Sequence, residues 1–136
     1  MAASINTFVV DASFILASLF PDEPSPGSDT VVRKYLDKEI ELISSWIFEL
    51  EVLNGLRAAQ LSKRIGQELC LKLAESFLKL SIKCQDIDPY ETLKLSQETN
   101  LTVYDASYVY LARSNAVPLL TLDLRMKRLV QSLLTI

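Results

Sequence analysis

Apolar positions along the chain follow two periods, one typical of buried strands and one typical of amphipathic helices. Residues 8–10 and 117–122 form continuous apolar runs, as in strands covered on both faces, whereas residues 40–45 and 81–88 alternate apolar and polar side chains. We therefore predict four strands. The alternating segment IELISS is predicted to be half buried and to end at its two serines, which would then cap the next helix.

Helical spacing of apolar residues fills the intervals between these strands. Residues 21–29 hold three prolines and are predicted to form a loop, with Ser28 or Asp29 capping the helix after it. A long helix is expected from about Trp46, and Gly66 separates it from a second helix that packs antiparallel to it. The predicted inward positions of the long helix are Ile47, Leu50, Leu53 and Leu56. The other predicted helices cover 12–20, 29–38, 67–80, 89–97 and 103–113, with a short one from 124 before a final apolar segment.

Short strands alternating with helices are typical of an α/β fold in which helices cover both faces of a mainly parallel sheet. The 136 residues suit one domain spanning 1–136, and no repeat or linker divides the chain. The sequence therefore predicts a single α/β domain.

Composition removes several kinds of chemistry. The chain has no histidine and two cysteines, Cys70 and Cys84, both within apolar segments. Ser-His-Asp catalysis, Cys-His catalysis and ribonucleases built on two imidazoles are therefore excluded, and a zinc site is disfavoured. The net charge of −3 argues against indiscriminate binding of nucleic acid. No signal peptide and no long apolar segment are evident, so we expect a cytoplasmic protein with no membrane partner.

Acidic residues fall where the strands of such a sheet end or where the next helix begins. These residues are Asp11, Glu51, Asp105 and Asp123. Because ligands of open parallel sheets bind beyond the carboxyl ends of the strands, we expect the four side chains at one edge. Each also has a simpler interpretation. Asp11 and Asp123 suit helix caps, Asp105 suits the positive end of a helix dipole, and an exposed helical position is ordinary for Glu51.

Carboxylates held close together repel one another unless a cation neutralises them. An all-oxygen set of ligands suits a hard ion, Mg²⁺ or Mn²⁺, which keeps several waters and can accept phosphate oxygens from a substrate. Such an ion can activate water and stabilise the charge that develops when a phosphodiester is displaced. The acids therefore indicate metal-dependent phosphodiester chemistry.

Four short segments around these acids resemble the conserved motifs of PIN domains, and in particular of the VapC-type toxins of bacterial toxin–antitoxin pairs. In order, they read VVDASFILA, ELEVLNGL, YDASYVYLA and PLLTLDLRM, and they span Phe8 to Lys127. The resemblance implies a three-layer α/β/α sandwich with a central, mainly parallel sheet. It also implies an endoribonuclease that depends on Mg²⁺ or Mn²⁺, forms a homodimer and is inhibited by a cognate antitoxin.

The same resemblance assigns roles to individual positions. The metal-binding acids would be Asp11, Glu51 and Asp105, with Asp123 as a fourth and more variable member. Asn54, three residues after Glu51 and on the same helical face, matches an asparagine that would support the acids. Thr121 matches a hydroxyl position close to them. Two weaker matches are Ser13 and Arg125.

Surface residues suggest where partners could bind. Basic residues that could contact RNA are Arg57, Lys63, Arg64, Arg125, Lys127 and Arg128. The predicted helix at 65–80 is apolar on two faces, one carrying Leu69, Leu73 and Phe77 and the other carrying Leu71 and Leu78. One sheet cannot cover both faces, so this helix indicates a partner helix or a dimer.

Two other functions stay open at this point. A PIN-like module could keep the acids and bind RNA or protein without cutting. A response-regulator-like or small phosphatase domain also places acids at strand ends. It would need a paired acid after the first strand or a lysine after a late one, and residues 11–13 read Asp-Ala-Ser, without the second acid.

Overall fold

The computed structural model describes residues 6–23 and 25–134, and strands and helices alternate through them. The strands are β1 (Asn6–Val10), β2 (Ile40–Ser45), β3 (Lys83–Gln85) and β4 (Leu119–Leu120). The helices are α1 (Ala12–Leu19), α2 (Pro26–Leu36), α3 (Phe48–Leu61), α4 (Gln67–Lys79), α5 (Pro89–Thr99), α6 (Val103–Asn115) and α7 (Leu124–Leu134).

The four strands form one sheet in the order β3-β2-β1-β4, and every neighbouring pair is parallel. The connections from β1 to β2 and from β2 to β3 run towards one edge, whereas the connection from β3 to β4 returns across the sheet. Because such crossovers are right-handed, α1 to α4 cover one face and α5 and α6 cover the other. The predicted α/β fold with a parallel sheet is confirmed. Its strand order reverses between β1 and β4, which is where open sheets bind ligands.

The core lies on both faces of the two central strands. Val9 and Val10 of β1 are fully buried and belong to one apolar cluster with Phe48 of α3 and Val109 of α6. A smaller cluster joins the end of α1 to the α3–α4 pair, and its buried members are Phe20, Leu56, Ala59, Ile65 and Cys70. The two clusters hold the long helices against the sheet and so fix the side chains at its carboxyl edge.

Strand β2 ends at its two serines, as predicted, but the predictions that it is half buried and that the serines cap α3 are wrong. All of its residues except Glu41 are buried, and the N-cap of α3 is Ile47. Ser44 and Ser45 lie inside the strand and are fully buried. The Ser44 hydroxyl donates to the Val10 carbonyl oxygen at 2.5 Å, and the Ser107 hydroxyl donates to the Ser45 hydroxyl at 2.9 Å. The strand has β1 and β3 as neighbours and helices on both faces, so its polar side chains are paired internally instead of facing water.

The predicted inward face of the long helix is partly wrong. Its buried residues are Phe48, Val52, Leu56 and Ala59, which form one stripe at helical spacing. Leu50 is 63% exposed and lies away from that stripe, and Trp46 precedes the helix and is also exposed. Apolar residues occur on more than one side of α3, so periodicity alone could not identify the buried side.

Other differences concern the ends of elements. The predicted loop at 21–29 is shorter, because α2 begins at Pro26, where proline suits the first helical turn. Neither predicted residue caps it: the N-cap is Ser25, whose hydroxyl donates to the Ala17 carbonyl oxygen at 2.7 Å, and Ser28 is buried. The strands predicted at 81–88 and 117–122 pair over only three and two residues.

Helix α7 continues to Leu134, further than the short helix predicted there, and residues 135–136 of the final apolar segment lie outside the described residues. No helix in the described part of the chain has both the length and the apolar character needed to cross a bilayer.

Candidate active site

Asp11 lies at the centre of the carboxyl edge, between the ends of β1 and β4. Its Oδ1 accepts hydrogen bonds from the Phe14 amide at 3.1 Å and the Ser13 hydroxyl at 2.8 Å, so the side chain caps α1. Its Oδ2 accepts a hydrogen bond from the Thr121 hydroxyl. The residue is 5% exposed, and this burial raises its pKa, although the hydrogen bonds oppose the shift. The cap and the site are therefore formed by the same carboxylate.

Two hydroxyls add contacts at the segments that follow the paired strands β1 and β4. The Thr121 hydroxyl accepts a hydrogen bond from the Asp123 amide at 3.0 Å, and the Ser13 hydroxyl accepts one from the Leu122 amide at 3.2 Å. Asp123 is exposed, and its Oδ1 caps α7 by accepting the amides of Arg125 at 2.9 Å and Met126 at 3.1 Å. Its Oδ2 has no hydrogen-bond partner among the described residues.

Glu51 reaches the edge from α3 and is held there by Tyr108 of α6. The Tyr108 hydroxyl donates to Oε1 of Glu51, and Tyr108 is only 1% exposed. Burial, followed by the hydrogen bond to Glu51, raises the pKa of Tyr108, so the hydroxyl stays protonated and remains a donor. Burial also raises the pKa of Glu51, and the nearby charges of Asp105 and Asp11 raise it further, while the Tyr108 hydrogen bond lowers it.

Asp105 stands in the first turn of α6. Its amide donates to the Thr102 hydroxyl at 3.1 Å, which caps the helix, and Ser107 two residues later joins the helix to Ser45 of β2. The side chain is half-buried. Burial, followed by the charge of Asp123, raises its pKa.

These effects connect the four acids, Asp11, Glu51, Asp105 and Asp123, which we call the acidic edge. Asp105 raises the pKa of both Asp11 and Glu51, and Asp123 raises that of Asp105, so the carboxylates are close enough to repel one another. Across residues 6–23 and 25–134, however, no three acidic or cysteine side chains are gathered around a point that could hold a metal ion. The acids therefore share one edge of the sheet, but their side chains do not converge on a single point as metal ligands would.

A shallow cleft of about 250 Å³ opens beside Glu51. Its lining is formed by Ile47, Leu50, Glu51, Asn54 and Tyr104. Asn54 is exposed, and its amide makes no hydrogen bond to any described residue. The support of the acids by Asn54 stays a prediction.

Two of the predicted RNA-contacting residues are engaged within the chain. Arg64 forms an ion pair with Asp22 at 2.8 Å and stacks over the Phe20 ring at 3.9 Å. The Arg125 guanidinium donates to the Thr99 carbonyl oxygen. The other four, Arg57, Lys63, Lys127 and Arg128, are exposed.

Tyr108 is the main site residue that sequence reasoning missed. In the sequence, Tyr108 is one of several large side chains within the segment YDASYVYLA, on the helix predicted at 103–113. The available signal was a phenolic hydroxyl three residues after Asp105, on the same side of the helix. The partner of that hydroxyl, Glu51, lies 57 residues away in the sequence and could not be read from local spacing.

Residues 8–131 match the PIN domain family. The chain belongs to the PIN domain family. It is 30% identical over 118 residues to ribonuclease VapC12 of Mycobacterium tuberculosis, in both strain CDC 1551 and strain H37Rv, and the match covers 87% of this chain and 88% of the relative. The resemblance to this family that four short motifs indicated is confirmed.

Solved structures agree on the PIN fold. The chain resembles PAE2754 from Pyrobaculum aerophilum with a TM-score of 0.74 at 23% identity, over 99% of this chain and 91% of that one. It resembles Mycobacterium tuberculosis VapC20, a sarcin-ricin loop cleaving toxin, with a TM-score of 0.62 at 13% identity, over 89% of this chain and 93% of that one.

Proposed function

We propose that this PIN domain protein is an endoribonuclease that depends on a divalent metal ion, and that it is the toxin of a toxin–antitoxin pair. The main supporting observation is the acidic edge, in which four carboxylates from separate parts of the chain lie where the strand order reverses. Charges within this set contribute to the raised pKa values of Asp11, Glu51 and Asp105. The similarity to the ribonuclease VapC12 supports RNA as the substrate.

Asp11, Glu51, Asp105 and Asp123 would hold Mg²⁺ or Mn²⁺. Their chemistry fits, because all four offer carboxylate oxygens. A hard cation would also relieve the repulsion that, after burial, raises the pKa values of Asp11, Glu51 and Asp105. When bound, the ion supplies water activation and neutralises charge on the phosphate.

The neighbouring side chains position these carboxylates. Thr121 and Ser13 fix the two oxygens of Asp11, and Tyr108 fixes one oxygen of Glu51. Hydrogen bonds of this kind set the direction of a carboxylate's remaining lone pairs, which is how supporting residues tune metal affinity. Thr121 would therefore contribute to catalysis through Asp11, and Asn54 would contribute from the cleft beside Glu51.

The partners follow from the same proposal. RNA would bind at the acidic edge, and a cognate antitoxin would block it in the cytoplasm. A homodimer is supported by exposed Leu71 and Leu78, which leave apolar surface on α4 beyond what the core covers. The chain would act as a single PIN domain.

The test is cleavage of RNA by the purified protein with Mg²⁺ or Mn²⁺, with EDTA, and with metal restored after chelation. We expect cleavage only when the metal is present, with a 5′-phosphate and a 3′-hydroxyl on the products. Asp105→Asn, purified in parallel, should be inactive. Cleavage that survives EDTA and occurs equally in the Asp105→Asn preparation would contradict the proposal.

A second candidate is a PIN module that binds RNA or protein without cutting. This function is favoured because, within the described residues, no three carboxylates converge on a point that could hold a metal ion. Mn²⁺ titration by calorimetry separates the two functions. A protein that binds RNA but neither binds Mn²⁺ nor cleaves would support the binding module.

A further inference from the structure

The cleft beside Glu51 contains side chains that the proposed metal site does not use. Tyr104 is 54% exposed, and its hydroxyl has no hydrogen-bond partner among the described residues. Asn54 lines the same cleft, and its amide also makes no hydrogen bond to a described residue. Ile47 and Leu50 add apolar surface to the lining. An aromatic ring, a free amide and apolar walls therefore meet next to a carboxylate of the acidic edge.

These groups match the requirements of a single nucleobase. A base has two flat faces that stack on an aromatic ring, and its edge carries hydrogen-bond donors and acceptors. An asparagine amide offers both a donor and an acceptor and can pair with such an edge. The volume of about 250 Å³ lies just below the range of drug-sized ligand pockets, so the cleft suits one small group such as a single base.

The position of the cleft also favours a base over other occupants. Glu51 belongs both to the cleft and to the acidic edge, so a group in the cleft lies directly beside the proposed metal. A nucleotide joins a base to a phosphate over that short range. The phosphate would bind the metal ion, which offsets its repulsion from the carboxylates. The base carries no charge and would enter the apolar cleft.

We propose that this cleft binds one unstacked base of single-stranded RNA next to the phosphodiester that is cleaved, with Tyr104 stacking on the base and Asn54 reading its edge. The inference rests on the proposed ribonuclease function and adds its substrate class, because bases in a duplex are stacked on their neighbours and do not reach such a cleft. Tyr104 and Asn54 would then determine specificity, and the acids would carry the chemistry.

The first test measures the affinity of a fluorescently labelled, single-stranded oligoribonucleotide by anisotropy, with Ca²⁺ in place of Mg²⁺. Tyr104→Ala should weaken binding by about tenfold, because stacking on an aromatic side chain is lost, and Tyr104→Phe should bind as the original does. The matched control is Tyr90→Ala, since Tyr90 is also an exposed tyrosine, 69% exposed, and lies on α5 outside the cleft. A hairpin of the same composition should compete poorly.

The second test uses cleavage with Mg²⁺ and Mn²⁺ affinity by calorimetry. Tyr104→Ala should raise KM by about tenfold with kcat nearly unchanged, and Asn54→Ala should change which base flanks the cut. Mn²⁺ affinity should stay within about twofold of the original for Tyr104→Ala, since the ring offers no metal ligand.

The inference is overturned if Tyr104→Ala binds and cleaves RNA as Tyr90→Ala does. It is also overturned if Tyr104→Ala changes the mass measured by light scattering without changing RNA affinity, since the cleft would then be a protein contact. If the unsubstituted protein neither binds Mn²⁺ nor cleaves RNA, the proposed function itself is wrong. If it does both, and Tyr104→Ala has the same RNA affinity and KM, only this inference is wrong.

Discussion

Two junctions at the carboxyl edge of the sheet use the same local structure in different surroundings. Asp11 follows β1 and caps α1, accepting the Phe14 amide at 3.1 Å. Asp88 follows β3 and caps α5, accepting the Glu91 amide at 3.0 Å. Each is an aspartate that satisfies a free amide of the first helical turn, which is the ordinary capping role of this residue.

The difference between the junctions lies in their neighbours. Within the described part of the chain, strand β3 is an outer strand of the sheet and has β2 as its one neighbour, and Asp88 is exposed. Strand β1 lies between β2 and β4, and Asp11 is buried beside Thr121, with Asp105 close enough to raise its pKa. Capping explains one oxygen at each site. At the central junction the second oxygen also has a hydroxyl partner, Thr121, and a carboxylate from a distant part of the chain, Asp105, lies nearby.

The largest effect should come from comparing Asp11→Asn with Asp88→Asn. Both variants should keep their caps and fold, since asparagine caps helices as well as aspartate does. Asp11→Asn should reduce metal-dependent RNA cleavage by more than about 100-fold, beyond what is lost when only a supporting residue is removed. Asp88→Asn should cleave normally. Equal activity of the two variants would mean that Asp11 is a cap and nothing more.

A smaller effect is expected at Tyr108, which gives Glu51 the kind of support that Thr121 gives Asp11. Tyr108→Phe removes the hydroxyl that donates to Glu51 and should weaken Mn²⁺ binding by roughly tenfold in calorimetry. Tyr110→Phe, two residues away and outside the acidic edge, is the matched control. If the two substitutions change Mn²⁺ affinity alike, Tyr108 does not position Glu51.

Removing the peripheral cap should change stability and leave function alone. Asp88→Ala should lower the free energy of unfolding by about 1 kcal/mol, measured by urea denaturation, because the Glu91 amide loses its acceptor. RNA cleavage should stay at the original level. A loss of cleavage in folded Asp88→Ala would extend the site to the β3 junction and remove the contrast between the two junctions.

The smallest effect concerns pH and the metal-free protein. Asp105 has a raised pKa in the folded state, so its contribution to stability is fully present below its unfolded pKa and is lost as pH rises through the folded value. In Asp105→Asn the side chain cannot ionise, so this loss of stability with rising pH does not occur. Without metal it should be more stable than the original at pH 7, by no more than about 1 kcal/mol because the side chain is partly solvated.

The comparison at about pH 3 provides the check. This pH lies below the ordinary aspartate pKa of about 3.9, so the carboxyl is largely protonated in both the folded and the unfolded state and the gain should shrink. Added Mn²⁺ at pH 7 should reverse the order of stability, because only the original keeps all four acids. A gain in stability that is the same at both pH values would show that repulsion at the acidic edge is not its cause.

The sequence by itself determined the succession of strands and helices and the edge that carries the acids. The alternation typical of strands and the spacing typical of helices are local properties, so β2 was predicted with its observed bounds and α5 with its first residue, Pro89. Once a parallel sheet was inferred, acids after its strands had to share its carboxyl edge, since all strands run the same way.

Only the tertiary structure decided which side of each helix meets the sheet and which distant groups meet each other. Leu50 faces outward because Phe48 and Val52 fill the core beneath α3, and that choice places Leu50 in the cleft with Tyr104. The hydrogen bond from Tyr108 to Glu51 joins α6 to α3. Such contacts depend on packing between elements far apart in the chain, which no local period encodes. For the same reason, a cap at Asp11 and a cap at Asp88 look alike in the sequence and differ in the fold.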